Sequence, residues 1–169
     1  VLDITTTEWA DEVCGGGFSA GPARLEAAGA MALPQLIVPG CVDMANFGGM
    51  ETVPEKYRAG DRLFYEWNPS VTLMRTNIEE NKEMGRIFAA KANAAKGPVA
   101  FLIPLKGVSI LDGDGELFCD RAADQAMSDT LKKNLSADIA VHEIDHNIND
   151  PAFSAKAVAI MLDLIAEKQ

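Results

Sequence analysis

A handful of residues have the type and the setting to do chemistry. Asp43 and Asp150 lie in short polar stretches just beyond apolar runs, where a carboxyl can act as general acid or base. Arg75, in Leu73-Met74-Arg75-Thr76, can fork onto a carboxylate or phosphate, and Lys106, in Pro104-Leu105-Lys106-Gly107, is a second cation so placed. Asp43, Arg75 and Asp150, with Thr6, Thr7, Asn46 and Ser109, make a candidate set for binding a small anion. Each also has a purely structural role open to it. Thr5 and Glu8 stand at capping-box spacing, Asp43 and Asn46 can turn the chain, Asn149-Asp150 can cap a helix opened by Pro151, and the cations can pair with the many acids.

Several motifs fail on context. His142-Glu143-Ile144-Asp145-His146 spells a zinc-protease signature, which needs a helix to bring both imidazoles to one face. Here it follows the strand pattern Asp138-Ile139-Ala140-Val141, so the two histidines would lie about 13 Å apart at ~3.3 Å per residue. Asp112-x-Asp114-x-Glu116 begins like a calcium loop, but Leu117 stands where the turn glycine belongs and Ala123 where the bidentate Glu belongs. Gly15-Gly16-Gly17 lacks the Lys and Ser/Thr of a phosphate loop and reads as a helix stop. No metal site is expected. Ser19, Ser109 and Cys41 have no neighbouring motif that would activate them.

The elements that must hold these residues alternate. Val1–Ile4 reads as a strand, Trp9–Cys14 as a helix, and Pro22 opens a second helix running to about Gly29. Gln35–Val38 is a buried strand stopped by Pro39-Gly40. From Cys41 to Asn77 the pattern is irregular, with extended pieces at Leu63–Trp67 and Thr72–Thr76; an insertion of this length is a place for function or a dimer contact. Ile78–Ala95 follows as a long helix and Val99–Ile103 as a strand. Asp112-Gly113-Asp114-Gly115 predicts a solvated tight turn, making a small hairpin of Val108–Leu111 and Glu116–Phe118. Helix Asp120–Leu135, strand Ala137–Ile144 and an amphipathic helix Pro151–Lys168 complete the chain.

Strands separated by helices imply an α/β three-layer sandwich with a mainly parallel sheet. Ligands of such sheets bind beyond the carboxyl ends of the strands. Four loops should therefore converge there: Thr5–Glu8, Gly40–Asn46, Pro104–Asp112 and Asp145–Asp150.

Composition bounds the rest. The 169 residues suit one domain, 48% are apolar, and no apolar run approaches a membrane span. Twenty-five acids against fifteen Lys plus Arg give a net charge of −10, which disfavours nucleic acid as a partner. Three widely spaced cysteines, with no visible leader, suit reduced thiols and a cytoplasmic location. The opening Val1-Leu2-Asp3-Ile4, without a Met, predicts a piece of a longer polypeptide.

A family resemblance covers nearly the whole chain. It rests on Thr5-Thr6-Thr7-Glu8 with Ala10-Asp11, Asp43-Met44-x-Asn46-Phe47-Gly48, Leu73-Met74-Arg75-Thr76 with Glu80-Asn81, Gly107-Val108-Ser109-x-Leu111-Asp112 and Ile148-Asn149-Asp150, in that order. Together these resemble the C-terminal half of the two-lobed module of the tomato mosaic virus resistance protein family, with its uncharacterised bacterial members. The resemblance implies a single Rossmann-like domain over residues 1–169, the C-terminal lobe of a longer protein. It also implies an ATP-binding-like module whose nucleotide sits mainly on the N-terminal lobe. Trp67 and Asn147 stand where the family often has His. The expected function is a lobe that closes with its N-terminal partner lobe on a small anionic ligand, as a homo-oligomer. Two alternatives stay open. One is a hydrolase or lyase acting on a small carboxylate or phosphorylated substrate, with Asp43 or Asp150 as acid or base. The other is a protein-interaction module, as the plant member's binding of a viral helicase implies.

Overall fold

The computed structural model describes residues 1–167. Among the described residues seven strands are formed, β1 (Leu2–Thr5), β2 (Gln35–Gly40), β3 (Met44–Phe47), β4 (Phe64–Asn68), β5 (Val71–Arg75), β6 (Val99–Pro104) and β7 (Ala140–Ile144). The helices are α1 (Thr7–Cys14), α2 (Glu26–Ala30), α3 (Glu55–Arg58), α4 (Ile78–Asn93), α5 (Arg121–Asn134) and α6 (Pro151–Glu167). The expected end of the last helix, at Lys168, lies outside the described residues.

The main sheet is parallel throughout, in the order β1-β2-β6-β7, with Ile37 beside Phe101 and Phe101 beside Val141. Its two central strands are buried along their whole length, which is why they read as unbroken apolar runs. The period of two then divides them between two cores. Ile37, Phe101 and Ile103 pack with Trp9, Met84, Phe88, Met127 and Leu131 of α1, α4 and α5, while Leu36, Val38, Ala100 and Leu102 pack under Phe153, Ala157, Ile160 and Leu164 of α6. The result is the α/β sandwich anticipated above, with three helices on one face and α6 alone on the other.

The irregular segment forms a second sheet. It is antiparallel, ordered β3-β5-β4, and it packs Ala45, Phe47 and Met74 with Cys14 and Val13 of α1. The small hairpin of the fold is therefore β4–β5 and not Val108–Phe118. Residues 105–120 contain turns and no strand, because Asp112 is drawn inward as a hydrogen-bonding hub rather than left in solvent. The second helix also starts later than Pro22, with turns through Leu25.

Local capping explains where the helices begin. Asn77 and Glu80 form a full capping box on α4, and Asp120 accepts from Ala122 and Ala123 at the start of α5. Asn77→Ala is expected to lower stability by about 1 kcal/mol, measured by urea unfolding. The Thr5–Glu8 box does not form. The cap position of α1 falls to Thr6, whose hydroxyl donates to Val38 O (3.2 Å) instead. Gly15 does end α1, in the left-handed region at φ 74°.

Candidate functional site

The four loops meet at the carboxyl end of the main sheet. Backbone bonds stitch neighbouring strand ends together: Thr6 N to Gly40 O (2.9 Å), Cys41 N to Val108 O (2.9 Å) and Ile148 N to Gly107 O (3.0 Å). Gly40 is needed at this seam, because a Cβ there would stand 2.1 Å from Ile4 O. Above the seam lies a cleft of ≈ 280 Å³ bounded by residues of β1, the β2 end, the small sheet and the two later loops. Its walls are mainly apolar, with Ile4, Met44, Leu73 and Ile148 inside and Trp67 and Ile110 at the rim, 64% and 71% exposed. The polar side chains that reach it include Ser109, Asn149 and Cys41.

Ser109 is tied to Asp43. Its hydroxyl donates to Asp43 Oδ2 (2.7 Å) and accepts from Asp112 N (3.1 Å). Asp43 is fully buried, and its Oδ1 has no hydrogen-bond partner among the described residues. Burial pushes its pKa up to about 6, against the pull of Ser109 and Arg75. Sequence reading found no activating neighbour for Ser109 because its partner lies 66 residues away.

Arg75 takes the salt-bridging role open to it rather than the anion-binding one. Its guanidinium is buried and points into the protein: Nε donates to Phe118 O (2.7 Å), Nη1 to Thr76 Oγ1 (3.2 Å), and Nη2 to Asp112 Oδ1 (3.2 Å) and Asp124 Oδ1 (2.7 Å). Arg121 bridges the same two carboxylates from outside, at 3.2 and 2.7 Å. Two arginines and two aspartates thus clamp the 105–120 loop onto α5. Asp112 is pushed up to about 7 by burial and by Asp124, while Val108 N and Arg75 pull it down. Lys106 is half-exposed, 3.6 Å from Asp114 and 3.8 Å from Asp145, the salt-bridging role open to it from the start.

The remaining candidates separate. Thr6 is buried beneath β2. Thr7 accepts from Asn46 Nδ2 (3.3 Å), and Asn46 binds the Asp11 carboxylate through both its backbone N–H (2.9 Å) and its side chain (2.7 Å). Asp11, passed over in the sequence, is fully buried and raised in pKa chiefly by that burial. Asp150 caps α6 through Ala152 N (2.8 Å) and faces His146 Nδ1 (3.1 Å); the Ala152 N–H, then His146, hold its pKa down. It does not line the cleft. His142 lies on β7, as its strand pattern required.

Of the two positions where the resemblance implies histidine, Trp67 forms part of the cleft rim. Asn147 donates to Lys106 O (3.1 Å) and Ser109 O (2.9 Å), holding two cleft loops together. Cys41 sits in the left-handed region at φ 59°, uncommon for a residue with a Cβ, at the end of central strand β2. Burial, and then Asp43, raise its pKa to about 11, so it is a neutral thiol and not a poised nucleophile.

Asp43 and Asp112 set a pH dependence. Each holds its proton more tightly folded than unfolded, so each favours the folded state at low pH. That contribution fades as pH rises from about 4 through about 6 for Asp43 and about 7 for Asp112. Thermal midpoints are expected to be higher at about pH 5 than at about pH 8, and Asp43→Asn should flatten the slope below pH 6.

The profile of the uncharacterised protein family UPF0261, C-terminal domain, matches residues 1–165. The chain belongs to this family. A UPF0261 protein of Clostridium tetani is 49% identical over 98% of the chain, and one of Mesorhizobium japonicum 45% identical over 97%. The chain spans 40% and 41% of those two relatives. The ToMV resistance protein Tm-1(GCR237) of Solanum lycopersicum is 36% identical over 97% of the chain, which spans 22% of it. This UPF0261 C-terminal domain therefore corresponds to less than half of each relative. None of its described helices is long and apolar enough to cross a membrane.

Proposed function

We propose that this domain binds a small molecule with an apolar body and one neutral polar end in the cleft over β1, β2, β6 and β7. A further part of the longer family polypeptide would close over it, and any ATP would belong to that part. The observation that carries the reading is the Ser109 hydroxyl, held by buried Asp43 at the floor of an otherwise apolar cleft. The anionic ligand expected from the strand-end loops and the family strings relied on Arg75 and Lys106 as its cations. With Arg75 committed to interior partners and no Lys or Arg among the described residues lining the cleft, a carboxylate there would have no cation to pair with. A hydroxyl or amide fits better.

Titration with hexanamide and with hexanoate near neutral pH, followed through the amide resonances of Ser109, Ile110 and Asn149, tests this. Hexanamide should shift those resonances and hexanoate should shift them far less. Ile110→Asp should remove the response. Equal responses to both probes would discard the neutral end.

An enzyme reading has one observation in its favour. A buried carboxyl with a pKa near 6, bonded to a cleft hydroxyl, suits a general base for a Ser109 nucleophile. Covalent labelling of Ser109 by a fluorophosphonate, with loss of fluoride and dependence on Asp43, would favour it over simple binding.

A further inference from the structure

Helix α6 is apolar on two sides. Phe153, Ala157, Ile160 and Leu164 face the sheet, as an amphipathic helix should. The opposite side, however, presents Ala155, Val158, Ala159, Leu162, Ile165 and Ala166, all exposed, with Val158 at 51% and Leu162 at 61%. At 100° per residue these fall on one continuous outward stripe. The sole charges from Ala155 to Ala166 are Lys156 and Asp163, which share one flank of the helix and line the same depression beside β7. The other flank, with Ser154 and Met161, carries no charge. A helix facing water would normally carry its charges outward, so this arrangement needs a partner.

We propose that α6 pairs antiparallel with α6 of a second copy across a twofold axis near Ala159 and Ile160. The sequence of the stripe is self-complementary in that arrangement. Ala155, Ala159, Leu162 and Ala166 follow spacings of four, three and four, the a/d seam of a coiled coil, and three of the four are alanine. Small seam residues let helix axes approach to about 8 Å, with Ala159 seated against Leu162 of the partner subunit. In an antiparallel twofold pair each flank meets its own copy running the other way. Lys156 then lies beside Asp163 of the partner subunit, and Asp163 beside Lys156 of the partner subunit, so both charges on the flank are matched. A parallel pairing would set this flank against the opposite, uncharged flank of the partner, leaving Lys156 and Asp163 with no opposite charge across the interface. The charge pattern thus selects the antiparallel register, and it does so in a chain whose net charge of −10 otherwise drives copies apart.

A single helix pair of this length lies at the low end of specific interfaces, so self-association in the micromolar range is expected.

Sedimentation equilibrium of the chain and three variants tests the proposal. The wild type should be a dimer at about 100 µM and dissociate on dilution. Leu162→Glu, a change at an exposed position that leaves the thermal midpoint intact, should make it monomeric. Lys156→Asp should weaken association about tenfold by replacing two matched pairs with two repulsive ones, and Lys156→Asp with Asp163→Lys should restore it. A monomeric wild type would overturn the proposal and leave the face to another part of a longer polypeptide. A dimer that survives Leu162→Glu, or a double reversal that fails to recover affinity, would equally overturn it.

Discussion

Arg75→Ala should cost this domain about 3–5 kcal/mol, the loss expected when one partner of a buried ion pair is removed. The arginine itself is not what makes the change so damaging. Asp112 is fully buried, and Asp124 is largely so on the arginine side. Without the Arg75 guanidinium, their charge would be balanced from one side by Arg121 alone, whose side chain is about one-third exposed. The Phe118 carbonyl would lose its donor at the same time, and that of Asp120 would keep only the Asp124 N–H. Three consequences distinguish this account from a simple loss of packing. The loss should shrink in acid, because protonating Asp112 removes uncompensated charge. Arg75→Met with Asp112→Asn and Asp124→Asn should lose less than Arg75→Ala alone, since neutral partners leave no buried charge behind. Ligand response at Ser109 should fall with stability, because Asp112 N donates to the Ser109 hydroxyl. Urea unfolding at about pH 5 and about pH 8 reads the first two directly. A loss that stays equal at both pH values would show that packing, not charge, holds the loop.

The same cluster shows where sequence reading stops. The main sheet was legible because β2 and β6, buried on both faces, leave unbroken apolar runs that turn residues then cut off. Convergence of four loops followed from topology alone, and the cleft lies where they meet. Side-chain partnerships were not legible. Arg75 meets Asp112 and Asp124 at separations of 37 and 49 residues, and no local spacing encodes that. Asp112-Gly113-Asp114-Gly115 has the composition of a solvated turn, and a turn it is, yet tertiary context turned its first carboxylate inward. Thr5-Thr6-Thr7-Glu8 offered a capping box by spacing. The register shift between Asp3 and Thr5 where β1 leaves β2 carried the cap one residue on. The final helix matched its amphipathic pattern on the side that meets the sheet. Its outward stripe was hidden by alanines, which read as helix formers before they read as surface.

Gly40→Val is the second change expected to have a large effect, and it acts on the cleft itself. Gly40 pairs with Thr5 at the point where the β1–β2 register shifts. The two chains pass so closely there that an added Cβ would lie 2.1 Å from Ile4 O and 2.8 Å from the Ile148 side chain. The first obstacle is backbone, so no side-chain rotation relieves it. Either β1 moves outward, as an edge strand can, or the Gly40–Cys41 turn moves. The first route weakens Thr6 N to Gly40 O and Thr6 Oγ1 to Val38 O; the second shifts Cys41 and Asp43 beneath Ser109. Both dismantle the cleft floor, at a cost of about 3 kcal/mol or more in stability. Gly60→Ala is the control, since its nearest neighbours would be 3.8 Å away and its backbone is ordinary; it should be neutral or slightly stabilising. Amide exchange separates the two routes. Faster exchange at Thr6 alone means that β1 has peeled away, whereas faster exchange at Cys41 means that the turn has moved. If Gly40→Val keeps wild-type stability and both amides stay protected, the close approach of β1 to β2 does not set the shape of the cleft, and its floor must be held by Asn147 and the later loops instead.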